Sequence, residues 1–289
     1  MTDRDIAWIR AAGEQEALLA SRAAGSGPLF VWGHTLMGSM AQEDIIGTLG
    51  WSTLQDKARM VHYDARGHGE SESSASPADY TWPHLARDMW TVADFHSKNR
   101  APIILGGASM GCATALHAAC QQPDRVAALV LVIPPTAWDQ RHTTAGPYKG
   151  FASGVELTRG LPLKLLTLLK WLPPPKNANL KGRISRVAAR SMGSANPTGI
   201  SAAMRGASLS DLPPTGDLEK LQIPTLILAW ANDPVHPLNT ALTLARTMPQ
   251  ATLEISTTAD EAERWDLLVR RFVTSLHTPQ PALTESPSD

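Results

Sequence analysis

Two cysteines in 289 residues are too few for a disulfide framework. Cys112 and Cys120 stand eight residues apart in a segment that reads as one helix. A helix rises about 1.5 Å per residue, which sets them roughly 12 Å apart, beyond bridging distance. They read as small buried apolar residues, and no Cys-x-x-Cys metal pattern is present. An excess of one charge is also missing. Lysine and arginine number 26 against 27 aspartates and glutamates, a net charge of -1. With no basic stripe, nucleic acid is not expected as a partner. No apolar run approaches the ~20 residues of a membrane-spanning helix, so no membrane is expected either. Met1-Thr2-Asp3-Arg4-Asp5 lacks the basic start and apolar run of a secretory leader, and a cytoplasmic location is the expectation. There is no internal repeat. What remains, 43% hydrophobic and 18% charged residues, is an ordinary globular composition with ample length for a sizeable core.

Short apolar runs recur along the chain. Residues 16–34 read as strands broken by the turn Ala24-Gly25-Ser26-Gly27-Pro28. Further runs at 29–32, 59–64, 103–105, 127–133, 225–230 and 252–256 read as strands. Helical stretches fall at 85–98, 112–122, 239–247 and 261–276. Strands alternating with helices predict an α/β fold with a mainly parallel sheet and helices on both faces. Between about 135 and 212 the rhythm breaks. That region holds a leucine-rich segment at 161–172, then three prolines and a second helical stretch at 183–191. It reads as a helical cap inserted into the core. Simple packing of the leucines against the main domain is the alternative, and membrane-surface binding a weaker third. The expected division is core at 1–135, cap at 136–212, core again at 213–277, and a Pro/Ser/Thr-rich disordered tail at 278–289.

One stretch carries chemistry. Ile103-Ile104-Leu105 runs into Gly107-Ala108-Ser109-Met110-Gly111, and a helix-forming sequence follows. A Gly-x-Ser-x-Gly run arises often by chance, but a strand before it and a helix after it are the context of a nucleophile elbow. Ser109 then sits at a strained apex with the helix N-terminus aimed at whatever it attacks, where negative charge is stabilised.

Three further motifs fall in a telling order around it. Trp32-Gly33-His34-Thr35-Leu36-Met37-Gly38-Ser39 resembles the oxyanion loop of the α/β-hydrolases, and Asp64-Ala65-Arg66-Gly67-His68-Gly69-Glu70-Ser71 resembles their Asp-x-Arg-Gly-His-Gly-x-Ser turn. Asn232-Asp233-Pro234-Val235-His236-Pro237, after the run 225–230, resembles their acid loop. With the elbow, the chain looks like an α/β-hydrolase over nearly its whole length, most similar to esterases and 3-oxoadipate enol-lactonase-like enzymes. The resemblance implies Ser109 as nucleophile, Asp233 as acid, and the N–H groups of Leu36 and Met110 as the oxyanion hole. Thr35 replaces the family's usual glycine. His34 and Trp138 are candidate substrate contacts, with structural roles as the alternatives, for Trp138 that of a wedge between cap and core. No metal and no organic cofactor are expected.

One departure from the family bears on mechanism. Its catalytic histidine lies in a loop after the last strand, here Ser256-Thr257-Thr258-Ala259-Asp260-Glu261, which contains none. A serine needs a positioned base. His236, three residues beyond Asp233 in a loop flanked by Pro234 and Pro237, is the best substitute, and His142 the reserve. His62, His84, His96, His117 and His277 fall in strand, helix or edge contexts. The expectation is a serine hydrolase acting on a small carboxylic ester or lactone through an acyl-enzyme. The alternatives are a non-hydrolytic protein of the same fold with a broken triad (a binding module, lyase or cyclase) or a C–C bond hydrolase using the same three roles. Oligomeric state stays open.

Overall fold

The computed structural model describes residues 6–46, 51–97, 100–162, 196–233 and 235–276. They contain an eight-stranded sheet: β1 (Ala7–Ala11), β2 (Ala17–Ala24), β3 (Leu29–Gly33), β4 (Arg59–Tyr63), β5 (Ile103–Ala108), β6 (Val126–Val132), β7 (Thr225–Trp230) and β8 (Ala251–Ser256). The order across the sheet is β1-β2-β4-β3-β5-β6-β7-β8. β2 runs antiparallel to β1 and β4, and every pairing from β4 to β8 is parallel.

The helices are α1 (Met40–Ile46), α2 (Trp82–His96), α3 (Met110–Gln121), α4 (His142–Leu157), α5 (Pro197–Ser208), α6 (Thr215–Leu218), α7 (Leu238–Thr247), α8 (Ala259–Ala262) and α9 (Trp265–Ser275). The period-two geometry of a strand sends alternate side chains to opposite faces. Val31, Leu105, Leu131 and Ile227 meet Leu85 and Met89 of α2, Leu116 of α3 and Leu244 of α7 on one face. Phe30, Trp32, Ile104, Val130 and Leu228 meet Trp265, Val269 and Val273 of α9 on the other. Every residue of β3 and β5 is buried, which is why they read as continuous apolar runs.

The predicted central strands and helices are present, with bounds shifted by at most three residues and those of β7 unchanged. β1, a five-residue edge strand, gave no readable run. α2 starts at Trp82, ahead of the expected 85, because Pro83 fits in a helix's first turn. The expected closing helix at 261–276 is two helices. A capping box opens the first: Glu261 N–H donates to Thr258 Oγ1 at 3.2 Å and the Glu261 carboxylate accepts Thr258 N–H at 3.4 Å.

Between β6 and β7 the described chain is helical. α4 and α5 pack together through Val155 and Ile200, and Glu156 accepts hydrogen bonds from Ser201 and Arg205. α4 itself carries no sequence signature strong enough to have been foreseen. The helical stretch 183–191, all but the first two residues of 161–172, and the tail 278–289 lie outside the described residues. Arg141 ties the two ends of the helical pair to each other and to α2. Its guanidinium donates to Thr136 O at 3.2 Å and Ser210 O at 2.7 Å and lies 4.3 Å over the Trp82 ring. None of the described helices is long and apolar enough to cross a membrane.

Candidate active site

The site forms at the C-terminal edge of the parallel strands, where β5, β3 and β7 end. β5 must reverse into α3 within one residue, and Ser109 absorbs the turn at φ 52°, ψ -108°. A non-glycine residue there is strained, and strain of this kind collects at functional positions. The crossing is close. A Cβ on Gly107 would stand 2.3 Å from the Gly111 backbone, and one on Gly111 would stand 2.0 Å from Gly33 O. Only glycine permits β3, β5 and α3 to meet so tightly. The apex is pinned by Ser109 N–H donating to Val132 O at 3.0 Å.

β7 ends in the turn that carries the expected acid and base. Asp233 Oδ1 accepts the N–H groups of Val235 at 2.8 Å and His236 at 3.1 Å, an Asx-type turn. Its Oδ2 accepts His236 Nδ1–H at 2.8 Å. That bond fixes the tautomer, so His236 Nε2 carries the lone pair and accepts Ser109 Oγ–H at 2.9 Å. The side chains of Asp233 and His236 are only 10% and 16% exposed. Burial pushes the Asp233 carboxyl upward. The His236 ring and the two backbone N–H groups outweigh it and hold the group below its ordinary value, so it stays ionised.

The loop after β3 supplies the other wall. Gly38 N–H donates to Thr35 O at 2.8 Å, closing a β-turn whose third residue, Met37, has φ 66°. Leu36 occupies the second position, whose N–H the turn does not use. The left-handed residue is Met37, so Thr35 stands in the family's glycine position without strain. Met110 N–H belongs to the first turn of α3, where no intrahelical acceptor exists. A cleft of about 520 Å³ adjoins this loop at Met37, Gly38 and Ser39; none of Ser109, Asp233 and His236 lines it.

His34 and Trp138 spend their polar atoms on the fold. His34 Nδ1–H donates to Thr35 O at 2.7 Å and its Nε2 accepts Ala65 N–H at 2.9 Å, tying the β3 loop to the β4 loop. Trp138 donates its N–H to the Asp211 carboxylate and its Nε1–H to Pro213 O at 3.1 Å, a wedge between the two ends of the helical pair. His34 is buried, 1% exposed, and Trp138 is half-buried against the core. His142, the reserve base, is exposed at the start of α4 and donates to Asp139 O. His117 is bound to Asp211 O, and His96 to Ser21 on the antiparallel side of the sheet. Among the described histidines, His236 is the one hydrogen-bonded to Ser109. His277 lies outside the described residues. The sequence sets a turn-initiating Asp233 against an Asp233 paired with a base, and the structure gives it both parts, Oδ1 folding the turn and Oδ2 holding His236. An aspartate opening a proline-containing turn is the signal for the first of these.

The fold and this constellation define a class. Residues 34–262 match the family model of the alpha/beta hydrolase fold, and the chain belongs to that family. Among particular relatives, it is 24% identical over 207 residues to 3-oxoadipate enol-lactonase 2 of Acinetobacter baylyi, covering 70% of this chain and 72% of that protein. It superposes on a thermophilic esterase from Thermogutta terrifontis with a TM-score of 0.76 at 23% identity, covering 95% of this chain and all of that one (100%). An enol-lactonase from Burkholderia xenovorans superposes with a TM-score of 0.65 at 20% identity, over 89% of this chain and 97% of that one.

Proposed function

We propose that the protein is a serine hydrolase that cleaves a carboxylic ester or lactone through an acyl-enzyme. The observation that carries this reading is the continuous path from Ser109 Oγ to His236 Nε2 at 2.9 Å and from His236 Nδ1 to Asp233 Oδ2 at 2.8 Å. Ser109 Oγ attacks the acyl carbon while His236 takes its proton. Asp233 holds the imidazole in the accepting tautomer and offsets the charge it gains. The Leu36 and Met110 N–H groups face the developing oxyanion. His236 then returns the proton to the leaving alkoxide as the C–O bond breaks, and water, deprotonated by the same base, releases the acid. The α4–α5 pair is the cap over this site. The esterase and enol-lactonase relatives support an ester or lactone as substrate. The broken-triad alternative rests on the missing late histidine, and the His236–Ser109 hydrogen bond favours the intact triad over it.

A fluorophosphonate probe tests the reading. It should label the wild type at Ser109, located by mass spectrometry, and fail to label Ser109→Ala. Hydrolysis of a panel of p-nitrophenyl esters and small lactones should be lost in the same variant. A folded wild type that neither reacts with the probe nor turns over any ester or lactone would overturn it.

A further inference from the structure

With acid and base on one turn, the whole proton-transfer apparatus depends on how that turn is held. It projects outward, with Val235 58% exposed. Backbone bonds hold its stem: Ala231 N–H donates to Ser256 O at 2.9 Å and Asp233 N–H to Trp230 O at 3.2 Å. A side chain adds a third tie. Asn232, next to the acid, donates Nδ2–H to Thr257 O at 3.1 Å.

The acceptor is itself braced. Thr257 follows β8, in the corner between β8 and α8. The Glu261 carboxylate accepts Thr257 N–H at 2.6 Å and Thr257 Oγ1–H at 3.1 Å. Glu261 therefore orients the Thr257 peptide, Thr257 O holds Asn232, and Asn232 fixes the turn from which His236 reaches Ser109. None of these three side chains is hydrogen-bonded to Ser109 or His236.

We propose that Asn232 is a positioning residue that acts through His236, and that Thr257 and Glu261 are its support. The corner where related hydrolases carry their histidine is here a strut for a base borne elsewhere. The kinetic part of this inference rests on the proposed hydrolase reading; the structural part does not. A misplacement near 1 Å at a reacting group costs up to about 100-fold in rate. One exposed hydrogen bond restrains a turn less than that, so a loss of about five- to tenfold is expected.

Three variants test it: Asn232→Ala, Glu261→Ala and Glu261→Gln, whose amide oxygen still accepts from Thr257. Two readouts are taken on the full chain. One is the second-order rate of fluorophosphonate labelling. The other is the low-field proton resonance of His236 Nδ1–H, assigned by its absence from His236→Ala. Asn232→Ala and Glu261→Ala should label about five- to tenfold more slowly and show that resonance broadened or lost, with Glu261→Gln near wild type in both. Asn232→Ala with wild-type labelling and an unchanged resonance would overturn the proposal. If the wild type itself does not label, the hydrolase reading fails. The resonance alone then decides: broadened in Asn232→Ala upholds the positioning role, unchanged overturns it. Should Asn232→Ala not fold, the Glu261 pair decides on the same readouts.

Discussion

Asp233 uses its two carboxylate oxygens for different tasks, one to fold the turn and one to hold the imidazole. Asp233→Asn leaves an oxygen for the turn but presents an amide to His236 Nδ1 or reverses the pair. The wrong tautomer then faces Ser109. Ester turnover, read as kcat, should fall on the order of 10³–10⁴-fold with little loss of fold. The depressed pKa of Asp233 also makes a stability prediction. Its contribution is fully present above the unfolded-state value near ~3.9 and is lost as pH falls through the lower folded value. The stability difference between wild type and Asp233→Ala, from denaturant titrations, should therefore shrink below about pH 4. At this scale much was legible. Ser109 announced itself by strand, glycine spacing and helix, and His236 by elimination plus proximity to Asp233. Asn232 was not legible, because its partner is a backbone carbonyl 25 residues away and an exposed asparagine has no periodicity.

The elbow is the element on which the site depends. Gly111→Ala drives a Cβ to within 2.0 Å of Gly33 O, backbone against backbone, where no side chain can swing aside. The variant should lose at least about 1–3 kcal/mol of stability, and its labelling rate at Ser109 should fall with the distorted crossing. Thermal melts and labelling at a temperature where both proteins are folded check this. The central strands were legible because sheet burial on both faces writes itself as unbroken apolar runs, as in Leu29–Gly33. β1, α4 and the break between α8 and α9 were not. β1 is set by an edge pairing with β2, α4 by Arg141 gathering carbonyls from both ends of the helical pair, and the break by Arg264, which leaves the helical region at φ -100°, ψ 9°. The Arg141–Ser210 contact joins residues 69 positions apart, which local pattern does not encode.

Over the whole molecule, the motif turn after β4 locks the antiparallel corner to the helical layer. Arg66 is fully buried, pairs with Asp88 at 3.0 and 3.1 Å, and donates to Ala12 O and Gln15 O. Arg66→Met strands a buried carboxylate and should cost about 3–5 kcal/mol in urea unfolding. His68, in the same turn, is held neutral by burial and by His34 beside it, its pKa pushed down to about 3. The unfolded chain takes up that proton near ~6.5, so this contribution is present above that pH and drains away as pH falls toward the folded value. His68→Asn should flatten the decline in stability across that interval. These bonds tie the antiparallel edge of the sheet to α2, while the proposed acid and base share one short turn. The central claim is that this turn supplies both acid and base, and its most direct measurement is kcat/KM for His236→Ala with and without added imidazole. A fall of at least about 10³-fold, partly restored by imidazole, is expected. A variant that hydrolyses ester as well as the wild type would contradict it.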